Sequence, residues 1–191
     1  MHREETEEGH PDYLSDFGPT QHILIKIHSG ICDFLRNDKD LLANNASERS
    51  ISHKLAEHLQ SHFNDLNVDC EYNRHEDAVK KLRYSRERDS YISPDDLDAK
   101  TVFPDIVIHK RGNDRCNIGV IEIKKSNSNY GSYADEQKLL SFTGDEYQYQ
   151  LGVFLIADIN NKSLKIERIF RSGHEITNEI FAMRGIFGHD K

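Results

Sequence analysis

Nowhere in the 191 residues is there a run of about 20 consecutive apolar side chains, the length a membrane-crossing helix needs, so no membrane association is expected. Cysteine is scarce as well. Cys32, Cys70 and Cys116 are far apart and odd in number, which argues against a disulfide framework and against a thiolate zinc site. The amino-terminal stretch MHREETEEGHPDYLSDFGP is acidic and polar and reads as neither a signal peptide nor a transit peptide. A reducing cytoplasm is the expected compartment. Internal repeats are absent, and low complexity is confined to the tail. Positive charge is also short, with a net charge of −8. Residues 1–20 carry six acids (Glu4, Glu5, Glu7, Glu8, Asp12, Asp16) against Arg3, leaving 27 acids and 24 bases in the remaining 171 residues. The body is therefore near neutrality. It lacks a strong general DNA-binding surface, but a local basic patch can still meet a phosphate backbone.

What is present suits one globular domain. The chain is 36% hydrophobic and 30% charged, and its length allows a sizeable core. Residues 1–19 read as a disordered acidic tail and residues 20–191 as a single domain. From Thr20 to about Leu42, the spacing of Ile23, Ile27, Ile31, Phe34 and Leu35 predicts an amphipathic helix, which Asn44-Asn45 ends. Ser47 is placed to cap a second helix running to about Asn64, with Ile51, Leu55, Leu59 and Phe63 on one face. Val68–Arg74 alternates as a short strand. Residues 76–90 are polar and basic and compatible with a helix. Two strands follow, Val102–His109 and Asn117–Lys124, joined by a turn containing Gly112-Asn113-Asp114. Tyr133 to about Phe142 reads as a helix, Leu151–Ala157 as a buried strand and Ser163–Phe170 as a last strand. The order predicts an α/β layered domain around a mixed sheet.

Chemistry is concentrated in the hairpin. Strand alternation puts Asp105 on one face with Val107, opposite to Ile106 and Ile108, and it projects Glu122 and Lys124 together. Adjacent strands can bring all three to one place. Two carboxylates among Ile, Val and Phe repel one another and are costly to bury, and a divalent cation relieves both problems. Mg²⁺ takes hard oxygen ligands at about 2.0–2.1 Å, commonly one or two carboxylates with water and substrate phosphate. A neighbouring ammonium can position water and offset developing charge, so the cluster suits phosphodiester hydrolysis.

Pro104-Asp105 and Glu122-Ile123-Lys124, separated by sixteen residues, resemble the PD-(D/E)XK nuclease superfamily over roughly residues 46–157. The resemblance implies a restriction-endonuclease-like core, a mixed sheet of four to five strands flanked by helices, and Mg²⁺-dependent cleavage of DNA or, less often, RNA, with Mn²⁺ able to substitute. It implies Asp105 and Glu122 as metal ligands, with the main-chain carbonyl of Ile123 as a further one and Lys124 assisting hydrolysis. Glu48 matches the additional acid that the superfamily often carries on the helix before the core strands. Gln137 or Lys138 matches the polar position on the helix after the Glu-x-Lys strand. The Gln-x-x-x-Tyr pattern of the exonuclease-like branch is absent, since Ser141 follows Gln137 at that spacing.

The letters alone are weak. Glu136-Gln137-Lys138 and Asp98-Ala99-Lys100 repeat the second half of the motif, and Pro11-Asp12 and Pro94-Asp95 the first, but none of these lies in an apolar strand. Glu48 has a plainer explanation in the helix macrodipole, and Gln137 and Lys138 in a solvated helix face. Lys81 and Arg88, within the basic stretch 80–88, suit either backbone contacts or a charged linker. His58 and His62 are spaced as a helical metal pair but have no evident third ligand, and His109 is a nearer candidate. The expected function is an endonuclease acting on DNA, as a homodimer by default. An RNase or other phosphodiesterase of the same fold is the first alternative, and a non-catalytic nucleic-acid-binding or scaffold protein the second.

Overall fold

The computed structural model describes residues 18–72, 74–75, 78–79, 81–82, 100–101, 103–128 and 132–182. Two long helices lead. Helix α1 (Pro19–Asn37) buries Ile23, Leu24, Ile27, Ile31 and Phe34, the stripe its sequence period predicts. It ends earlier than expected, because Asp38 leaves helical geometry (φ −128°, ψ 18°) and gives its carboxylate to His58 Nε2 at 2.7 Å. A separate turn, α2 (Asp40–Ala43), follows, and Asn45 takes the left-handed backbone (φ 52°) that asparagine tolerates. Helix α3 (Glu48–His62) starts at Ser47, whose hydroxyl accepts the Ser50 N–H at 3.1 Å. That cap contributes about 1 kcal/mol. Burial of Ile51, Leu55 and Leu59 contributes roughly 1.5–3 kcal/mol each and dominates the helix's stability.

The sheet has six strands in chain order: β1 (Asn67–Cys70), β2 (Ile106–Lys110), β3 (Asn113–Lys125), β4 (Leu151–Asp158), β5 (Ser163–Arg171) and β6 (His174–Glu175). Neighbours are antiparallel except β3 and β4, which run parallel and are joined across one face by α4 (Tyr133–Thr143). A short helix, α5 (Thr177–Ala182), ends the described chain. In the β2–β3 register, Ile106 faces Ile121 and Val107 faces Val120. Alternation then sorts side chains into two cores. Ile106, Ile108, Ile121, Ile123, Val153 and Leu155 pack toward α1 and α3. Val107, Val120 and Phe154 pack with Leu139 and Phe142 of α4. The domain is α/β, with a mixed sheet between helical layers.

Three details depart from the sequence expectation. The sheet has six strands rather than four to five, because a two-residue strand with both side chains exposed, β6, extends β5 without any apolar signal. Within 76–90 the described backbone is extended, not helical: Ala78–Val79 pairs with Arg74–His75, and Lys81–Leu82 with Lys100–Thr101. Strand β2 begins only at Ile106, since Pro104 has no N–H to extend the ladder. No helix among the described residues is long and apolar enough to cross a membrane.

Gly30 sets how closely α1 approaches α3. A Cβ there would lie 2.6 Å from Leu59 Cδ2 and 3.4 Å from Leu59 Cα. Gly30→Val is expected to destabilise the domain by about 2–3 kcal/mol through overpacking, read as a lower urea midpoint with unchanged slope.

Candidate active site

Strand β3 outruns β2. Beyond Ile121, which faces the first residue of β2, residues 122–125 continue with no ladder partner on that edge among the described residues. The N–H donors of Ile123 and Lys125, which point to that edge, still need acceptors. Two carboxylates supply them. Asp105 Oδ2 accepts the Ile123 N–H at 2.7 Å, and Glu48 Oε1, from the first turn of α3, accepts the Lys125 N–H at 2.9 Å. A strand residue's N–H and C=O point to the same edge, so the Ile123 carbonyl faces the space between these two acids. Extending the register places Pro104 opposite Ile123, and proline has no N–H to give that carbonyl. The same extension places Asp105 opposite Glu122.

Glu122 and Lys124 project toward α4, as alternation requires. Glu122 is 1% exposed. Its Oε2 meets the Lys138 ammonium at 2.7 Å, and its Oε1 is buried with no hydrogen-bond partner among the described residues. Lys138 also meets Asp135 Oδ1 at 3.0 Å, and the other Asp135 oxygen meets Lys124 Nζ at 3.3 Å. On the α4 face of this strand end, three carboxyl groups (Asp105, Glu122, Asp135) thus stand with two ammonium groups (Lys124, Lys138). An open cleft of about 320 Å³ adjoins it, lined by Glu48, Lys125, Asn127 and Ser128.

The electrostatics follow from burial and crowding. Burial pushes the Asp105 carboxyl up to about 6; the Ile123 N–H and Lys138 oppose this, and the charges of Asp135 and Glu48 add to it. Burial, then the charge of Asp105, raises the Glu122 carboxyl well above the usual range against the pull of Lys138. Burial disfavours the Lys138 ammonium, but Glu122 and Asp135 more than offset that and hold it above its ordinary value.

Among the described residues, no group of three or more His, Cys, Asp or Glu side chains is arranged to hold a metal ion. The donors at this strand end are of another kind, namely two facing carboxylates and a main-chain carbonyl. An orphaned buried carboxylate oxygen beside a second acid fits a hard divalent cation, which needs only one or two carboxylates with water completing its shell. Asp105, Glu122 and the Ile123 carbonyl would hold it, with Glu48 nearby.

The structure therefore brings Asp105, Glu122, Ile123 and Lys124 together and sets Glu48 at the same strand end. Lys138 joins them as the ion-pair partner of Glu122. Gln137 is turned about 100° from Lys138 around the helix. Lys81 pairs with Thr101 through its backbone, and Arg88 lies outside the described residues. His109 is four residues along β2 from Asp105 and bonds Asp69 at 3.0 Å instead. His58 and His62 bond Asp38 and Asp33 on the α1 side. Asp135 is the residue that sequence reading missed; its i,i+3 relation to Lys138 on a predicted helix was the available signal. Comparison with protein-family models, characterised proteins and solved structures gave no match to this chain.

In metal-free protein the raised Asp105 carboxyl carries a cost. Unfolded, it titrates near 3.8, and folded, at about 6, so between these values the unfolded chain holds fewer protons and stability falls as pH rises. The loss is about 3 kcal/mol at 1.36 kcal/mol per pH unit, complete above the folded value. Urea unfolding in EDTA from about pH 4 to 7 should show this decline, and Asp105→Asn should flatten that share of it. An equal slope in the variant would contradict the cost assigned to Asp105.

Proposed function

We propose that this chain is a Mg²⁺-dependent nuclease of the PD-(D/E)XK, restriction-endonuclease-like type that hydrolyses phosphodiester bonds in DNA. The observation that carries the reading is the pairing across β2 and β3. Asp105 is fixed on the Ile123 N–H at 2.7 Å opposite Glu122, which has a buried oxygen without a partner among the described residues, and Lys124 lies further along the same face. Counting the strands of the six-stranded sheet, the helix–strand–strand–strand–helix–strand order from α3 to β4 supports it as well.

A divalent cation bound here would supply Lewis-acid activation of water and neutralise charge on the phosphate. The chain's own residues do the rest. Asp105, Glu122 and the Ile123 carbonyl present hard oxygens from a rigid strand pair, so little reorganisation is needed when substrate arrives. Lys124 is held toward α4 by Asp135, which keeps its ammonium beside the acids rather than in solvent. In that place it orients the attacking water and offsets the negative charge that grows on the phosphoryl oxygens. Glu48, anchored on the Lys125 N–H, completes the acidic rim. Nothing in this set reads a sugar, so RNA is the alternative substrate.

Purified protein with Mg²⁺ or Mn²⁺ is expected to cut duplex DNA, single strands or junctions. Glu122→Ala and Lys124→Ala should each lower the rate by at least about 100-fold. Cleavage that survives both substitutions removes the proposal. Cleavage confined to RNA makes the chain an RNase, and metal-independent binding without cutting makes it a binding module.

A further inference from the structure

Lys138 holds Glu122 Oε2 at 2.7 Å and is itself tied to Asp135 at 3.0 Å. Asp135 is a second seat for that ammonium, three residues back on α4 and shared with Lys124 at 3.3 Å. A divalent cation held by Asp105 and Glu122 would share Glu122 with the Lys138 ammonium, and like charges in a partly buried site repel strongly. Both would be held by one carboxylate that is 1% exposed, with little solvent to screen one cation from the other. A lysine has a flexible four-carbon stem and three donors, so it can leave one oxygen while keeping another.

We infer that Lys138 is an exchangeable counter-cation, which occupies Glu122 while no divalent cation is bound and, when one takes Glu122, turns about Asp135 to a phosphate of the nucleic acid. This rests on the metal-dependent phosphodiesterase reading above. Asp135 is then a positioning residue, since it keeps the released ammonium at the mouth of the site. The consequence is positive coupling: divalent cation and nucleic acid each bind more tightly when the other is present, by the same factor.

The test is a titration of the full-length protein with a short fluorescein-labelled DNA duplex, in EDTA and in Ca²⁺, with the duplex checked by gel to be intact at the end. The readout is the ratio of the two dissociation constants. Wild type should bind at least about tenfold more tightly in Ca²⁺. Lys138→Met should lower that ratio by roughly tenfold, and Lys138→Arg, which keeps the charge, should restore most of it. Lys138→Gln replaces the Met variant if cooperative thermal unfolding shows that the latter does not fold. A ratio unchanged by loss of the charge overturns the exchange, whether binding weakens equally in both buffers or in neither. A wild-type protein that cleaves but binds DNA independently of divalent cation removes this inference alone. One that neither cleaves nor responds to divalent cation removes the nuclease reading with it.

Discussion

A carboxylate that is 1% exposed needs a cation, and the arrangement at this end of the sheet follows from supplying one to Glu122. Strand alternation turns Glu122 toward α4, and the compensating charge comes from that helix. Lys138 provides it, and Asp135, one turn earlier, fixes where that ammonium stands. The compensation is incomplete. Asp105 lies across from it, a third carboxylate serves two lysines, and one Glu122 oxygen has no hydrogen-bond partner among the described residues. A fold that only needed stability would have replaced this cluster with apolar residues at little cost, since buried ion pairs rarely improve on good hydrophobic packing.

The unequal lengths of β2 and β3 are the second constraint. Within the sheet, backbone donors are satisfied by neighbouring strands, and the two faces are sealed from each other by apolar side chains. Past the end of β2, the donors of Ile123 and Lys125 instead recruit carboxylates, one from the chain entering β2 and one from α3. A strand end is also where side chains from the two helical layers can meet. Glu48 arrives from the α3 side of the sheet, while Asp135 and Lys138 arrive from the α4 side. Pro104 matters to this geometry because it stops the ladder one residue short of Asp105, which frees that side chain to turn onto β3.

Much of this was legible in the sequence because it depends on period and local chemistry. The stripe of α1, the Ser47 cap, the bounds of α4 and the alternation that puts Asp105 with Val107 and Glu122 with Lys124 are all consequences of neighbours two to four residues apart. The rest needed partners distant in sequence. Helix α1 stops at Asn37, where the Asp38 carboxylate meets His58, twenty residues away. Strand β6 exists because β5 offers it an edge, not because its own exposed residues favour a strand. Lys138 looked like a solvated helix residue because lysine usually is one; its role appears only when α4 is laid against β3, sixteen residues from Glu122.

Two copies of the same letters show what decides the chemistry. Glu122-Ile123-Lys124 and Glu136-Gln137-Lys138 both read Glu-x-Lys. In a strand, residues two apart project in parallel, so Glu122 and Lys124 face one site together. On a helix, residues two apart are turned by about 200°, and the second pair divides: Glu136 bonds Arg168 of β5 at 2.7 Å, while Lys138 bonds Glu122. The decoy motif therefore contributes one of its two charges to the site and spends the other on fastening α4 to the sheet. The same Glu-x-Lys spacing gives two charges on one face in the strand and, on the helix, one charge at the site and one brace. The apolar strand around the letters carries the functional meaning, and the charged residues of the neighbouring helix complete it.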